Sequence, residues 1–109
     1  MLASARDLAS AGDELFRGSL ISEASRREMT HFMPTRMRFL PEYGLGLGRA
    51  DLGGVQVWTH SGDIFGFHAD LAYIPEREIT VAVLANKQTN APGQDALIDA
   101  LVADVSDSP

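Results

Sequence analysis

Near the middle of the chain, His60, Ser61, Gly62 and Asp63 follow one another directly. The segment Val55–Trp58, just before them, has the β-branched and aromatic content of a strand, which places the four residues at a strand end. Gly62 has no side chain, so another group can approach the backbone closely there. An imidazole, a hydroxyl and accessible backbone N–H groups are suited to stabilising a developing negative charge. The stretch therefore predicts half of a site for such a charge.

Two other interpretations of these polar residues are weaker. A metal site is suggested by His60-x-x-Asp63 and by His68-x-Asp70, but no third ligand is apparent, so we predict no metal and no cofactor. A Ser61 nucleophile with His60 as its base is geometrically poor, because adjacent strand residues point to opposite faces. Ser61 also fits a purely structural role, as a strand-end hydroxyl bonded to nearby backbone.

The composition is that of an ordinary globular domain. Of the 109 residues, 45% are hydrophobic and 22% are charged, which argues against disorder over most of the length. The net charge of −6 argues against nucleic-acid or membrane partners, because both surfaces require clustered Lys and Arg. The chain has no cysteine, no apolar run approaching the roughly 20 residues of a membrane span, and no signal-peptide core at its start. These features indicate no particular compartment.

Capping residues and apolar spacing predict three helices, over about 5–17, 23–32 and 92–104. Ser4 and Ser22 are the N-caps of the first two. Because the first helix begins almost at the first residue, we expect the chain to start at an internal point of a longer parent protein.

Strand signals lie between the second and third helices. The segment 43–49 alternates glycine with larger residues, and 51–54 is typical of a hairpin turn. Further strands are expected at 55–60, 68–74 and 79–85. The sequence thus predicts an α+β fold, an antiparallel sheet of three to four strands packed with two N-terminal helices and one C-terminal helix.

The most apolar of these segments, 79–85, predicts a strand covered on both faces. The C-terminal helix can cover one face, so the other face and one sheet edge are expected to lack cover within the chain. Uncovered edges and faces are commonly buried by self-association. We therefore expect a homo-oligomer, or association with a missing N-terminal part.

Several of these segments resemble the penicillin-recognising serine hydrolases, which include class C β-lactamases, D-alanyl-D-alanine carboxypeptidases and related esterases. The third motif of that family is Lys or His, then Ser or Thr, then Gly, and residues 60–62 match its His form. The similarity continues through residues 66–67, 72–78 and 83–87, and residues 1–9 are similar to a helix start in the family's later half. It covers nearly the whole chain but only the final third of an intact family member.

The family's other two motifs are absent. Its nucleophile lies in Ser-x-x-Lys, yet the only lysine here is Lys87, and Leu84 stands three residues before it. Neither Tyr43 nor Tyr73 begins the second motif, Tyr-x-Asn. We therefore interpret residues 1–109 as a single, partial β-lactamase/transpeptidase-like domain, its C-terminal part, inactive alone.

The resemblance implies a role for each matching residue. His60 and Ser61 would flank the substrate carboxylate or the reacting centre, and Gly62 would let the substrate lie alongside the strand. The backbone N–H of Asp63 would be one of two oxyanion donors, and Asn86 would line the far end of the site. The implied substrate is a small amide or ester (a β-lactam, a D-Ala-D-Ala peptide or an ester) cleaved through an acyl-enzyme. The alternative is a non-catalytic, oligomeric binding module derived from the same fold.

Overall fold

A computed structural model of the protein describes residues 3–37, 40–86 and 93–107, with side chains in the last segment from residue 97. The helices are α1 (Ala5–Arg17), α2 (Glu23–Met29) and α3 (Gly93–Asp107). The strands are β1 (Met33–Pro34), β2 (Glu42–Tyr43), β3 (Gly48–Leu52), β4 (Val55–Ile64), β5 (Phe67–Ile74) and β6 (Ile79–Ala85). They form one antiparallel sheet in the order β1-β2-β3-β4-β5-β6. None of the described helices is long and apolar enough to cross a membrane.

The caps of α1 and α2 explain where these helices begin. The Ser4 hydroxyl accepts from the Asp7 N–H at 3.1 Å, and the Asp7 carboxylate accepts from the Ser4 N–H at 3.1 Å, a reciprocal capping box. The predicted bounds of α1 are confirmed. The second helix was predicted to reach residue 32, which is wrong, because Thr30 is the C-cap and its hydroxyl donates to the Arg26 carbonyl at 2.8 Å. The predicted start of α3 at Pro92 lies outside the described residues.

The predicted strand count is too low. The described residues contain six strands rather than three to four, because β1 and β2 have only two residues each, too few for an alternating pattern. The predicted strand at 43–49 is also divided by a loop at 44–47. The Gly44 N–H donates to the Leu47 carbonyl at 2.7 Å, and Gly46 has φ +74°, so the chain turns back there.

The hairpin that joins β3 to β4 follows from its sequence. Gly53 and Gly54 have φ values of +63° and +89°, as a two-residue type I′ turn requires, and the Asp51 carboxylate accepts from the Gly54 N–H at 2.6 Å. Beyond this turn, β4 runs to Ile64, four residues past its predicted end. The strands predicted at 68–74 and 79–85 are confirmed within one residue.

Helices cover both faces of the sheet. On one face, α3 packs Ile98 and Val102 against a cluster from the central strands that includes Val57, Ile74 and Val83. The expectation that the second face lacks cover is wrong for the centre of the sheet, because α1 also packs on β5 and β6. As predicted, β6 is therefore covered on both faces.

Three exposed apolar residues lie together at the β4–β5 hairpin. Phe65, at its tip, is 97% exposed, and the neighbouring Ile64 and Phe67 are also exposed. This end of the sheet carries the predicted site.

Candidate functional site

The predicted site residues lie on the last part of β4. His60, Ser61, Gly62 and Asp63 are all exposed. On one side, β5 pairs with β4 as far as Ile64. On the other side, β3 pairs only up to Thr59, and no described strand continues the pairing. Residues 60–64 therefore form one open edge of the sheet, as far as the described residues show.

The hairpin geometry determines which backbone N–H groups point to this open edge. In a two-residue hairpin the residues flanking the turn, here Leu52 and Val55, exchange both backbone hydrogen bonds. The Val55 N–H therefore faces β3. Because the N–H direction alternates along a strand, every second N–H points the same way, and this includes the N–H groups of Ser61 and Asp63. At these positions β3 has ended, so both groups face the open edge. The Gly62 N–H points to β5.

Side-chain directions separate His60 from Ser61. The register places His60 opposite Leu71 and Ser61 opposite Asp70, on opposite faces of the sheet. This agrees with the prediction that they do not form a nucleophile–base pair. Both line an open depression of about 510 Å³, whose other walls include Thr35, Met37, Leu40 and Tyr43.

Gly62, Asp63 and Asn86 line a second, larger depression of about 810 Å³. The start of the chain contributes Ala3 and Leu8 to the same depression. The structure thus brings Asn86 close to Gly62 and Asp63, which the resemblance assigned to the same site, although Asn86 is 23 positions beyond Asp63 in sequence. Lys87, which follows Asn86, lies outside the described residues.

One residue of the site was missed from the sequence. The Nδ1 atom of His68 lies 2.6 Å from a carboxylate oxygen of Asp63, and its Nε2 atom lies 2.8 Å from one of Asp70. His68 and Asp70 are 8% and 5% exposed. The hydrogen bond to the Asp63 carboxylate raises the pKa of His68 above its ordinary value, and this effect exceeds the opposing effect of burial.

The sequence did contain a signal for His68. The spacing His68-x-Asp70 correctly indicates two side chains on one strand face. What the sequence did not show is the register, which places Asp63 directly opposite His68. Among the described residues, no group of three or more His, Cys, Asp and Glu side chains is arranged to hold a metal ion.

An antiparallel sheet between helices, with an exposed His-Ser-Gly strand end, is the arrangement of the β-lactamase-like proteins. The chain belongs to the Beta-lactamase family, whose model matches residues 1–104. Among solved structures it is similar to D-amino acid amidase from Ochrobactrum anthropi SV3, determined in complex with L-phenylalanine amide. The TM-score is 0.83 at 18% sequence identity over 95% of this chain, which shows a shared fold. The match covers 33% of the amidase chain, so this chain spans about a third of its length.

The assigned N–H directions predict different effects of proline at two adjacent positions. Ser61→Pro removes an N–H that faces the open edge, so we expect a change in unfolding free energy of less than about 1 kcal/mol. Gly62→Pro removes an N–H that belongs to the β4–β5 pairing, so we expect a loss of about 1–3 kcal/mol. Urea unfolding of both variants measures the difference. A larger loss for Ser61→Pro would contradict the assignment.

Proposed function

We propose that these residues supply the oxyanion strand and the substrate-facing edge of a serine hydrolase that cleaves amide or ester bonds. The observation that carries the proposal is the open edge of β4, where the N–H groups of Ser61 and Asp63 face outward within a His-Ser-Gly stretch of a Beta-lactamase family member. The nucleophilic serine and its lysine must come from sequence outside these 109 residues, because Ser-x-x-Lys does not occur within them.

In the proposed reaction, the external serine attacks the substrate carbonyl and transfers its proton to a neighbouring base. The Asp63 N–H and the nucleophile's own N–H then stabilise the oxyanion. Collapse of this intermediate expels the amine or alcohol and leaves an acyl-enzyme, which water hydrolyses to the free acid. Gly62 leaves room for the substrate beside the strand, since an added Cβ there would meet no atom within 4 Å among the described residues.

The proposed substrate is a small amide or ester rather than a β-lactam. At pH 7 an imidazole carries less positive charge than the lysine common at this position in class C enzymes, so a substrate carboxylate is held less firmly. The structurally similar protein is a D-amino acid amidase, which supports an amide substrate. In this proposal, His60 and Ser61 flank the substrate, Asn86 lines the far end of its site, and the reaction needs no metal or cofactor.

The test is the intact mass of the natural protein from its source cells, before and after incubation with a fluorophosphonate or penicillin. A mass above the 11.8 kDa of this chain, with the adduct on a serine outside residues 1–109, is the expected result. An adduct on Ser61 would contradict the assigned roles. A protein of 11.8 kDa that takes up neither reagent would favour a non-catalytic function.

The second candidate is a non-catalytic, oligomeric binding module, and the observation that favours it is the exposed apolar hairpin. Ile64, Phe65 and Phe67 lie next to one another at the end of the sheet, and contiguous exposed apolar residues commonly mark interaction sites. This candidate predicts a dimer or larger oligomer at micromolar concentration, weakened by Phe65→Ser. Sedimentation velocity measures the oligomeric state of the wild-type chain and of the Phe65→Ser variant. A monomeric wild-type chain would contradict it.

A further inference from the structure

The contacts of His68 fit a ring that is protonated on both nitrogens. Each nitrogen of its ring faces a carboxylate oxygen, Asp63 at 2.6 Å and Asp70 at 2.8 Å. A neutral imidazole has one N–H and can donate to only one of them, which would leave a nitrogen lone pair facing the other carboxylate. An imidazolium donates to both. The arrangement is therefore that of a positively charged ring between two carboxylates.

From this geometry we infer that His68 is the positioning residue of the oxyanion strand. The imidazolium joins Asp63 on β4 to Asp70 on β5, and so fixes Asp63, whose N–H faces the open edge. The role given to the Asp63 N–H rests on the proposed function. The bridge that His68 forms between Asp63 and Asp70 does not depend on that function. This fixed point matters because β3 has ended there and, among the described strands, β5 alone pairs with this part of β4.

The bridge also removes an electrostatic conflict. The Asp63 carboxylate is attached to the residue whose N–H would stabilise the oxyanion, and a second negative charge so close would oppose its formation. The imidazolium in direct contact offsets the Asp63 charge locally, although Asp63, His68 and Asp70 together carry one negative charge. His68 thus allows an acidic residue to occupy the oxyanion position.

The surroundings of the ring keep this charge in place. The charged groups that act on His68 among the described residues are Asp63 from β4 and Asp70 from β5. On the face of the sheet that carries the ring, its paired neighbour on β6 is Ala85, which does not titrate, whereas α1 packs on the opposite face against Leu71 and Tyr73. The two carboxylates raise the pKa of His68, so the bridge is complete below the ordinary histidine pKa and is lost as pH rises through the raised value.

Nitrogen-15 NMR of this 109-residue chain tests the inference without any substrate. The ring shifts of His68 are expected to titrate with a midpoint above the ordinary histidine pKa and to show both nitrogens protonated below that midpoint, and the backbone amide signal of Asp63 is expected to titrate with the same midpoint as the ring. A midpoint at or below the ordinary histidine pKa, or an Asp63 amide that does not follow the titration of His68, would overturn it. Neither result depends on whether the protein hydrolyses anything. The positioning role of His68 and the proposed hydrolase function can therefore be contradicted independently of each other.

A pair of variants tests the positioning role. In His68→Gln, the order parameter of the Asp63 N–H is expected to fall from about 0.85 toward 0.6, because a glutamine cannot hold both carboxylates with charge-assisted bonds. His31→Gln is the matched control, since His31 is exposed in the turn after α2, and it should leave Asp63 unchanged. An unchanged order parameter in His68→Gln would contradict the role. If that variant does not fold, the wild-type chain above the pKa of His68 is expected to show the same loss of order.

Discussion

Phe16→Ala is expected to lower the unfolding free energy by about 3–5 kcal/mol, the range for an alanine replacing a buried aromatic residue. Phe16 is 3% exposed and packs between α1 and the sheet. Its ring stacks on that of Tyr73, with centroids 5.0 Å apart, and meets the edge of Trp58 at 6.1 Å. The loss approaches the whole stability of many small domains, so this variant should unfold at far lower urea concentration.

The matched control is the same substitution at an exposed position. Phe65 is 97% exposed at the β4–β5 turn, so Phe65→Ala should change the unfolding free energy by less than about 0.5 kcal/mol. Both variants are measured at a concentration at which the wild-type chain is monomeric, so that association does not enter the comparison. Equal losses in the two variants would contradict the assigned core.

The second large effect concerns the proposed hydrolase activity of the natural protein. Asp63→Pro removes the proposed oxyanion donor and should lower the acylation rate about 10²–10³-fold, or about 2.7–4 kcal/mol. Proline is tolerated in a strand where its nitrogen faces an open edge, and that is where Asp63 lies. Acylation is followed with a chromogenic ester in the natural protein.

Asp63→Asn separates the backbone from the side chain. It keeps the N–H, and its amide oxygen can still accept from His68, so its acylation rate should stay within about tenfold of wild type. Circular dichroism verifies that both variants fold. Equal rates in Asp63→Pro and wild type would show that this N–H does not stabilise the transition state.

Much of the local structure is determined by the sequence itself. Ser4 and Asp7 specify the start of α1 because each side chain accepts a hydrogen bond from the backbone N–H of the other residue. Gly53 and Gly54 specify the β3–β4 hairpin because both need positive φ. The motif at residues 60–62 predicted the family, and that prediction is confirmed. Each of these signals lies within a few residues of the structure that it specifies.

The tertiary structure decided the features that depend on which segments meet. The open edge at residues 60–64 exists because β3 stops opposite Thr59, and two-residue strands such as β1 leave no pattern in the sequence. The β4–β5 register places Asp63 opposite His68. A shift of one residue would have separated them onto opposite faces. Strand pairing is set by packing across the whole sheet, so neither the open edge of β4 nor the contacts of His68 with two carboxylates could be derived from local spacing alone.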